Sequence, residues 1–302
     1  MKLQRFAIIT GIVLSLAVTS ATSQDDFKDI EIRSTRVADG IYMLTGKGGN
    51  LGVSVGSDGT FLIDDQFAPL TDKIRAAVAT FTDQPVKFLL NTHWHPDHTG
   101  GNVNMGKTGT VIMAHDNVRK RLAVDNFIEM FGMEAPAMDS AGLPVITFDQ
   151  SLTLHLNNNE IRISHVNSAH TDGDSIVHFR DANVIHTGDI YFAGMYPFID
   201  TQSGGSTEGV LRALEKIASL SDSDTVIIPG HGPLGDKNSL TAYTDMIRTI
   251  SDRIRRMIDE QSSLEQILAA EPTRDFDEKY GNGFIGNTAF VKMLHADMAG
   301  NP

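Results

Sequence analysis

The sequence predicts an α/β protein built as a four-layer αββα sandwich, and three observations carry that prediction. Short apolar strands fall into two groups, helical patterns flank each group, and no Pro- or Ser-rich linker or short-period repeat separates them. With 302 residues, 41% hydrophobic and 21% charged, the chain is long enough and apolar enough to bury a sizeable core. Residues 24–302 are therefore expected to form a single domain.

In chain order, the first segment is a leader. Lys2 and Arg5 precede an apolar run from Phe6 to Val18, and small and polar residues follow through Ser23, which is the layout of a secretory signal peptide over residues 1–23. The run is short for a membrane span, which needs roughly 20 apolar residues, and no later segment is apolar for that long. The mature chain is accordingly expected in the periplasm or secreted, with no membrane association after cleavage. It contains no cysteine, which excludes disulfides, thiolate metal ligands and a cysteine nucleophile. The formal net charge of -13 gives no general electrostatic support for binding nucleic acid.

From Ile30 to Asp65, alternating residues punctuated by Gly-rich turns predict an antiparallel meander. A helix is expected over 70–81, then an apolar strand over 86–90. Residues 116–131 carry a helical pattern, while 145–166 and 175–186 supply further strands. A helix over 207–217, a strand over 225–228, helices between 239 and 270 and a last helix over 288–298 complete the pattern.

The chemistry concentrates where the strand over 86–90 ends, in Asn91-Thr92-His93-Trp94-His95-Pro96-Asp97-His98-Thr99-Gly100-Gly101. Three imidazoles and one carboxylate lie within six residues, and a His-x-His pair in extended backbone points both rings to one side. Neutral imidazole nitrogen and carboxylate oxygen are both good zinc ligands. Three more segments end strands beside glycine: Ala169-His170-Thr171-Asp172-Gly173-Asp174, His186-Thr187-Gly188-Asp189 and Pro229-Gly230-His231-Gly232. Glycine beside a ligand lets the backbone approach the site. His155, His165, His178 and His295 lie inside strand or helix patterns, and His115 and His186 sit at strand ends without a complementary cluster, so none of the six is expected to bind metal.

The H-x-H-x-D-H run and the ordered downstream His, Asp and His resemble the metallo-β-lactamase superfamily along essentially the whole mature chain. The resemblance implies two zinc ions, one held by His93, His95 and His170 and the other by Asp97, His98 and His231, with Asp189 bridging them. It also implies a bridging hydroxide as nucleophile, with Asp97 as the catalytic residue that orients it. Asp64 then stands where the family commonly places a carboxylate supporting a metal-binding histidine, although a strand-end turn carboxylate there or at Asp65 is the alternative. Asp174 is either a similar support or a cap on its turn.

Specificity is expected from loops around the site. Candidates are the Gly-rich hairpin 45–50, whose glycines suggest mobility, and the stretch 192–205, where Tyr196, Pro197 and Phe198 could line an apolar pocket. Met130, Met133 and Met138 are expected to fill core under a loop rather than wall a pocket. Dedicated β-lactamases of the superfamily carry cysteine or serine where Asp189 stands, so Asp189 resembles the glyoxalase-type thioesterases instead. The expected function is hydrolysis of a carbonyl bond in a small, cyclic molecule, with β-lactams the first activity to test. The alternatives are a lactonase, a glyoxalase-type thioesterase or an iron-dependent oxidoreductase of the same fold.

Overall fold

The computed structural model describes residues 24–300; the expected signal peptide lies outside the described residues. Strands β1 (Arg33–Ala38), β2 (Ile41–Thr45), β3 (Leu51–Ser54) and β4 (Thr60–Ile63) form the expected meander. After α1 (Thr71–Val78), β5 (Val86–Asn91) joins β4 in parallel. Helices α2 (Pro96–Thr99) and α3 (Asn102–Lys107) lead into β6 (Val111–His115), parallel to β5. Beyond α4 (Asp116–Leu122) and a small hairpin, β7 (Asn126–Ile128) with β8 (Met133–Ala135), strand β9 (Ile146–Phe148) completes a seven-stranded sheet in the order β1-β2-β3-β4-β5-β6-β9.

The second sheet has five strands in sequence order: β10 (Ser151–Leu156), β11 (Asn159–His165), β12 (Ser175–Phe179), β13 (Val184–His186) and β14 (Val226–Ile228). Only β13 and β14 pair in parallel, because α5 (Thr207–Leu220) lies between them in the chain. Helices α6 (Lys237–Asp259), α7 (Leu264–Ala269), α8 (Asp277–Tyr280) and α9 (Asn287–Met298) follow.

Side-chain alternation along the strands explains the layering. Phe61, Ile63 and Leu90 on one sheet meet Ile161, Val177, Phe179 and Ile228 on the other, forming the core between the sheets. Residues one position away face outward: Leu62 and Leu89 pack on Ile74 and Val78 of α1, while Ile176, Ile185 and Ile227 pack on α5 and α6. This is the expected αββα sandwich. No helix among the described residues is long and apolar enough to cross a membrane.

The helix expected over 116–131 is a correction, since it stops at Leu122. The amide of Asn126 donates to the carbonyls of Arg121 (2.7 Å) and Val124 (2.9 Å), occupying acceptors that a continuing helix would need. Phe127 and Ile128 then favour the extended backbone of β7, and Gly132 turns the hairpin at φ 57°. The helix expected over 70–81 is also shorter, ending at Val78; Phe81 beyond it stacks on Tyr42 at 3.9 Å.

Candidate metal centre

The parallel strands β4 and β5 of one sheet and β13 and β14 of the other end at a common edge, where their last residues turn into loops. The structure brings all seven candidate ligands together there, in two groups: His93, His95, His170 and Asp189, and Asp97, His98 and His231. The Asp189 carboxylate stands between them. Its Oδ2 lies 3.8 Å from His93 Nε2, 3.7 Å from His170 Nε2 and 3.4 Å from His231 Nε2, and its Oδ1 lies 3.1 Å from His98 Nε2. Asp97 Oδ2 is 3.3 Å from His231 Nε2 and 3.6 Å from His98 Nε2.

What surrounds each ring decides which nitrogen faces inward. His98 Nδ1 donates to Asp64 Oδ2 at 2.8 Å. The Thr92 hydroxyl also donates to Asp64 Oδ2, which leaves its oxygen to accept from His93 Nδ1 at 3.1 Å. His170 Nδ1 donates to the Phe198 carbonyl at 2.8 Å, and His95 Nε2 donates to Asp200 Oδ2 at 3.0 Å. The outward nitrogens of His93, His95 and His170 thus hold the ring proton, and their inward nitrogens present lone pairs.

That arrangement fits a cation. His95 Nδ1 and His170 Nε2 approach to 2.9 Å, although with their protons engaged elsewhere neither has one to place between them. His93 Nε2 is buried without a hydrogen-bond partner, and such an atom is costly to leave unsatisfied. An imidazole and carboxylate donor set of this kind suits zinc or iron, and three-plus-one groupings around a shared carboxylate suit two ions.

The electrostatics separate the rings into two kinds. Burial, helped by neighbouring imidazoles, holds His93 well below its ordinary pKa and His170 down to about 4, so both are neutral. Burial also opposes charge on His98 and His231, but Asp189 and Asp97 outweigh it, raising His98 well above the ordinary value and His231 to about 9. Burial works against ionised Asp97 as well, yet the His98 and His231 charges hold that carboxyl near 2.

Close backbone approach is part of the construction. A Cβ on Gly49 would lie 2.1 Å from His98 Cε1, and one on Gly230 would lie 2.0 Å from Asp189 Oδ1. Glycine at 49 and 230 therefore serves proximity. Asn50 donates through its side chain to the carbonyls of Pro229 (3.0 Å) and Gly232 (2.9 Å), and Gln66 Nε2 donates to the Gly49 carbonyl at 2.6 Å, strapping the hairpin to the site.

Asp64 is fully buried at φ 60°, a left-handed turn that ends β4 and directs the carboxylate at Thr92 and His98. Asp65 instead accepts from the Gly101 backbone. Asp174 accepts from the Thr171 backbone and hydroxyl, closing the turn after His170; burial, only partly offset by these bonds, pushes its carboxyl up to about 8. His115 and His186 use both ring nitrogens: His115 with the Asp149 carbonyl and Asn117 N–H, His186 with the Asn50 carbonyl and Gly188 N–H. Tyr196 is buried and bonds Asp277 at 2.8 Å, so it belongs to the core and not to a pocket.

Asp200 was not among the residues read from the sequence. A lone aspartate before Thr201 in an irregular stretch carries no motif, and the only available signal was its position inside the loop 192–205.

A family model described as the Metallo-beta-lactamase superfamily matches residues 44–231, more than half of the chain and inclusive of every candidate ligand. The chain belongs to that superfamily. It is similar to a hydroxyacylglutathione hydrolase from Erythrobacter litoralis (strain HTCC2594), 27% identical over 109 residues, which make up 36% of this chain and 35% of that protein. The chain thus matches about a third of the length of this curated relative. Its fold is similar to a metallo-β-lactamase from Pontibacter korlensis, with TM-score 0.60 and 19% identity, covering 72% of this chain and 99% of that one. It is also similar to the inverting sec-alkylsulfatase Pisa1 from Pseudomonas sp., with TM-score 0.67 and 15% identity, covering 90% of this chain and 51% of that one.

Proposed function

We propose that this chain is an exported dinuclear zinc hydrolase that cleaves a carbonyl bond of a small, cyclic substrate, with β-lactams the first class to test. The observation that carries the reading is Asp189, one carboxylate within 3.8 Å of imidazole nitrogens from both ligand groups. In this reading His93, His95 and His170 hold one ion, Asp97, His98 and His231 hold the other, and Asp189 is shared. Two such ions would polarise the carbonyl and the leaving group and bring a shared water to a pKa of about 7.

The chain's own contribution is orientation and proton traffic. Ionised Asp97, facing His98 and His231, accepts a hydrogen bond from the attacking water and fixes its direction. Asp64, Asp200 and the Phe198 carbonyl lock the rings, so that no reorganisation is needed during the reaction. The leader over residues 1–23 supports export to the periplasm.

A second reading, thioester or lactone hydrolysis, is favoured by Asp189 itself and by the similarity to a hydroxyacylglutathione hydrolase. The test is a panel of nitrocefin, a carbapenem, a lactone and a thioester with zinc-loaded and chelated protein. Chelator-sensitive turnover of nitrocefin or the carbapenem is expected; turnover confined to lactone or thioester selects the second reading. Metal analysis of protein purified without added metal, showing dominant iron with oxygen consumption, would overturn the zinc assignment.

A further inference from the structure

One wall of the site is apolar and open. A groove of about 450 Å³ runs from His231 past Met43, Met195, Pro233 and Phe284. Phe284 sits between α8 and α9, its ring 5.4 Å from His231 and 5.6 Å from Phe192, yet the residue is 49% exposed. Phe131, at the tip of the β7–β8 hairpin, is 45% exposed and lies 6.3 Å from Phe284 and 5.1 Å from Phe198. Met130 beside it is exposed as well. Four elements distant in sequence therefore build one apolar surface that begins at a candidate ligand.

Scattered exposed apolar residues are ordinary, but a contiguous patch continuous with a polar centre is a binding surface. The groove brings no carboxylate to meet a cationic substituent, its one cation, Lys47, turns its ammonium to the Asp26 carbonyl (3.3 Å) and the Phe27 ring (4.5 Å), and its aromatic and thioether side chains suit an adaptable apolar contact. The β7–β8 hairpin strengthens the case, because its tip turns Met130 and Phe131 outward instead of packing them on the core.

We infer that this groove binds an uncharged alkyl or aryl group of the substrate, lying along Met43, Met195 and Phe284 and reaching Phe131, while the carbonyl sits at the metal centre. The inference rests on the hydrolase reading above and adds the substrate class: esters, lactones or lactams carrying a bulky apolar substituent. Phe284 and Phe131 are the specificity-determining residues.

The experiment pairs activity with binding. For zinc-loaded protein, kcat/KM is measured with p-nitrophenyl acetate and p-nitrophenyl octanoate, for the native chain, Phe284→Ala, Phe131→Ser and the remote control Val145→Ala. The octanoate-to-acetate ratio is expected to fall about tenfold in each phenylalanine variant, in line with the selectivity that lost apolar contacts cost, and to hold in Val145→Ala. In parallel, the fluorescent apolar probe 1-N-phenylnaphthylamine is titrated into metal-free protein, with thermal melting to show that each variant is folded. Its affinity is expected to fall at least about fivefold in the phenylalanine variants, on the same contact argument. An unchanged ratio with unchanged probe affinity in folded variants overturns the groove. Probe affinity lost as expected, with neither these esters nor nitrocefin, the carbapenem, the lactone or the thioester hydrolysed by any protein, upholds the groove and overturns the hydrolase reading instead.

Discussion

Asp200 Oδ2 lies 3.0 Å from His95 Nε2, across 105 residues of chain, and through this bond it turns the other ring nitrogen of His95 toward His170. Ionised Asp200 suits the role: burial opposes its charge, but His95 and the Ser203 N–H hold its carboxyl near 2. Asp200→Ala removes the acceptor and frees the ring to rotate. Metal affinity is expected to fall about 10–100-fold, measured by competition with a chromophoric chelator, with little change in the melting temperature of the metal-free chain. Unchanged affinity would remove Asp200 from the site.

Asp64 ties two rings at once. Its carboxylate accepts from Thr92 N (2.7 Å), Thr92 Oγ1 (2.8 Å) and His98 Nδ1 (2.8 Å), all buried. Asp64→Ala leaves these donors unsatisfied, and a loss of about 3 kcal/mol in unfolding free energy is expected. Denaturant titration of metal-free protein measures it, and a loss below about 1 kcal/mol, the usual range of a surface change, contradicts the assignment.

Metal uptake must be linked to protons. In the metal-free chain His231 is raised to about 9, so its ring is protonated at neutral pH, whereas a metal needs the neutral imidazole. The sign follows: below about 9, each step down in pH makes expelling that proton costlier, so metal affinity rises with pH and levels off above 9. Chelator competition between pH 6 and 9 is expected to show at least about tenfold tighter binding per pH unit, the slope of one released proton. A flat profile contradicts it.

Gly230 is needed for space. The Cβ of Gly230→Ala would meet Asp189 Oδ1 at 2.0 Å and the Gly188 backbone at 2.6 Å, whereas nothing lies within 4 Å of a Cβ on Gly286. Gly230→Ala is expected to destabilise the fold by about 1–3 kcal/mol, as overpacking does, and to weaken metal binding, while Gly286→Ala leaves both near native. Equal melting temperatures for the two variants would show that the β14 loop yields.

Asp97 can be tested without disturbing the core, since its side chain is partly open to solvent while His98 is buried. Asp97→Asn keeps the shape and removes the charge. Turnover of any substrate the native protein hydrolyses is expected to drop at least about 100-fold, the low end for a general base, with the far-UV circular dichroism unchanged. Retained turnover takes Asp97 out of the proposed chemistry.

Local residue chemistry by itself determined much of this protein. Strand alternation set which residues meet between the sheets, and His93 to His98 announced their chemistry through spacing alone, because a strand end fixes where neighbouring side chains point. Asp189 and His231 were legible for the same reason, each just past a strand end beside glycine, whereas His170 lies in the loop between β11 and β12. Only the tertiary structure decided the rest. Asn126 halts α4 through hydrogen bonds that propensity does not register. Asp200, Phe198 and Phe284 come to the site from irregular segments in which no period exists to read. Periodic backbone writes its neighbours into the sequence; contacts across a hundred residues exist only once two sheets have packed and brought their edges together.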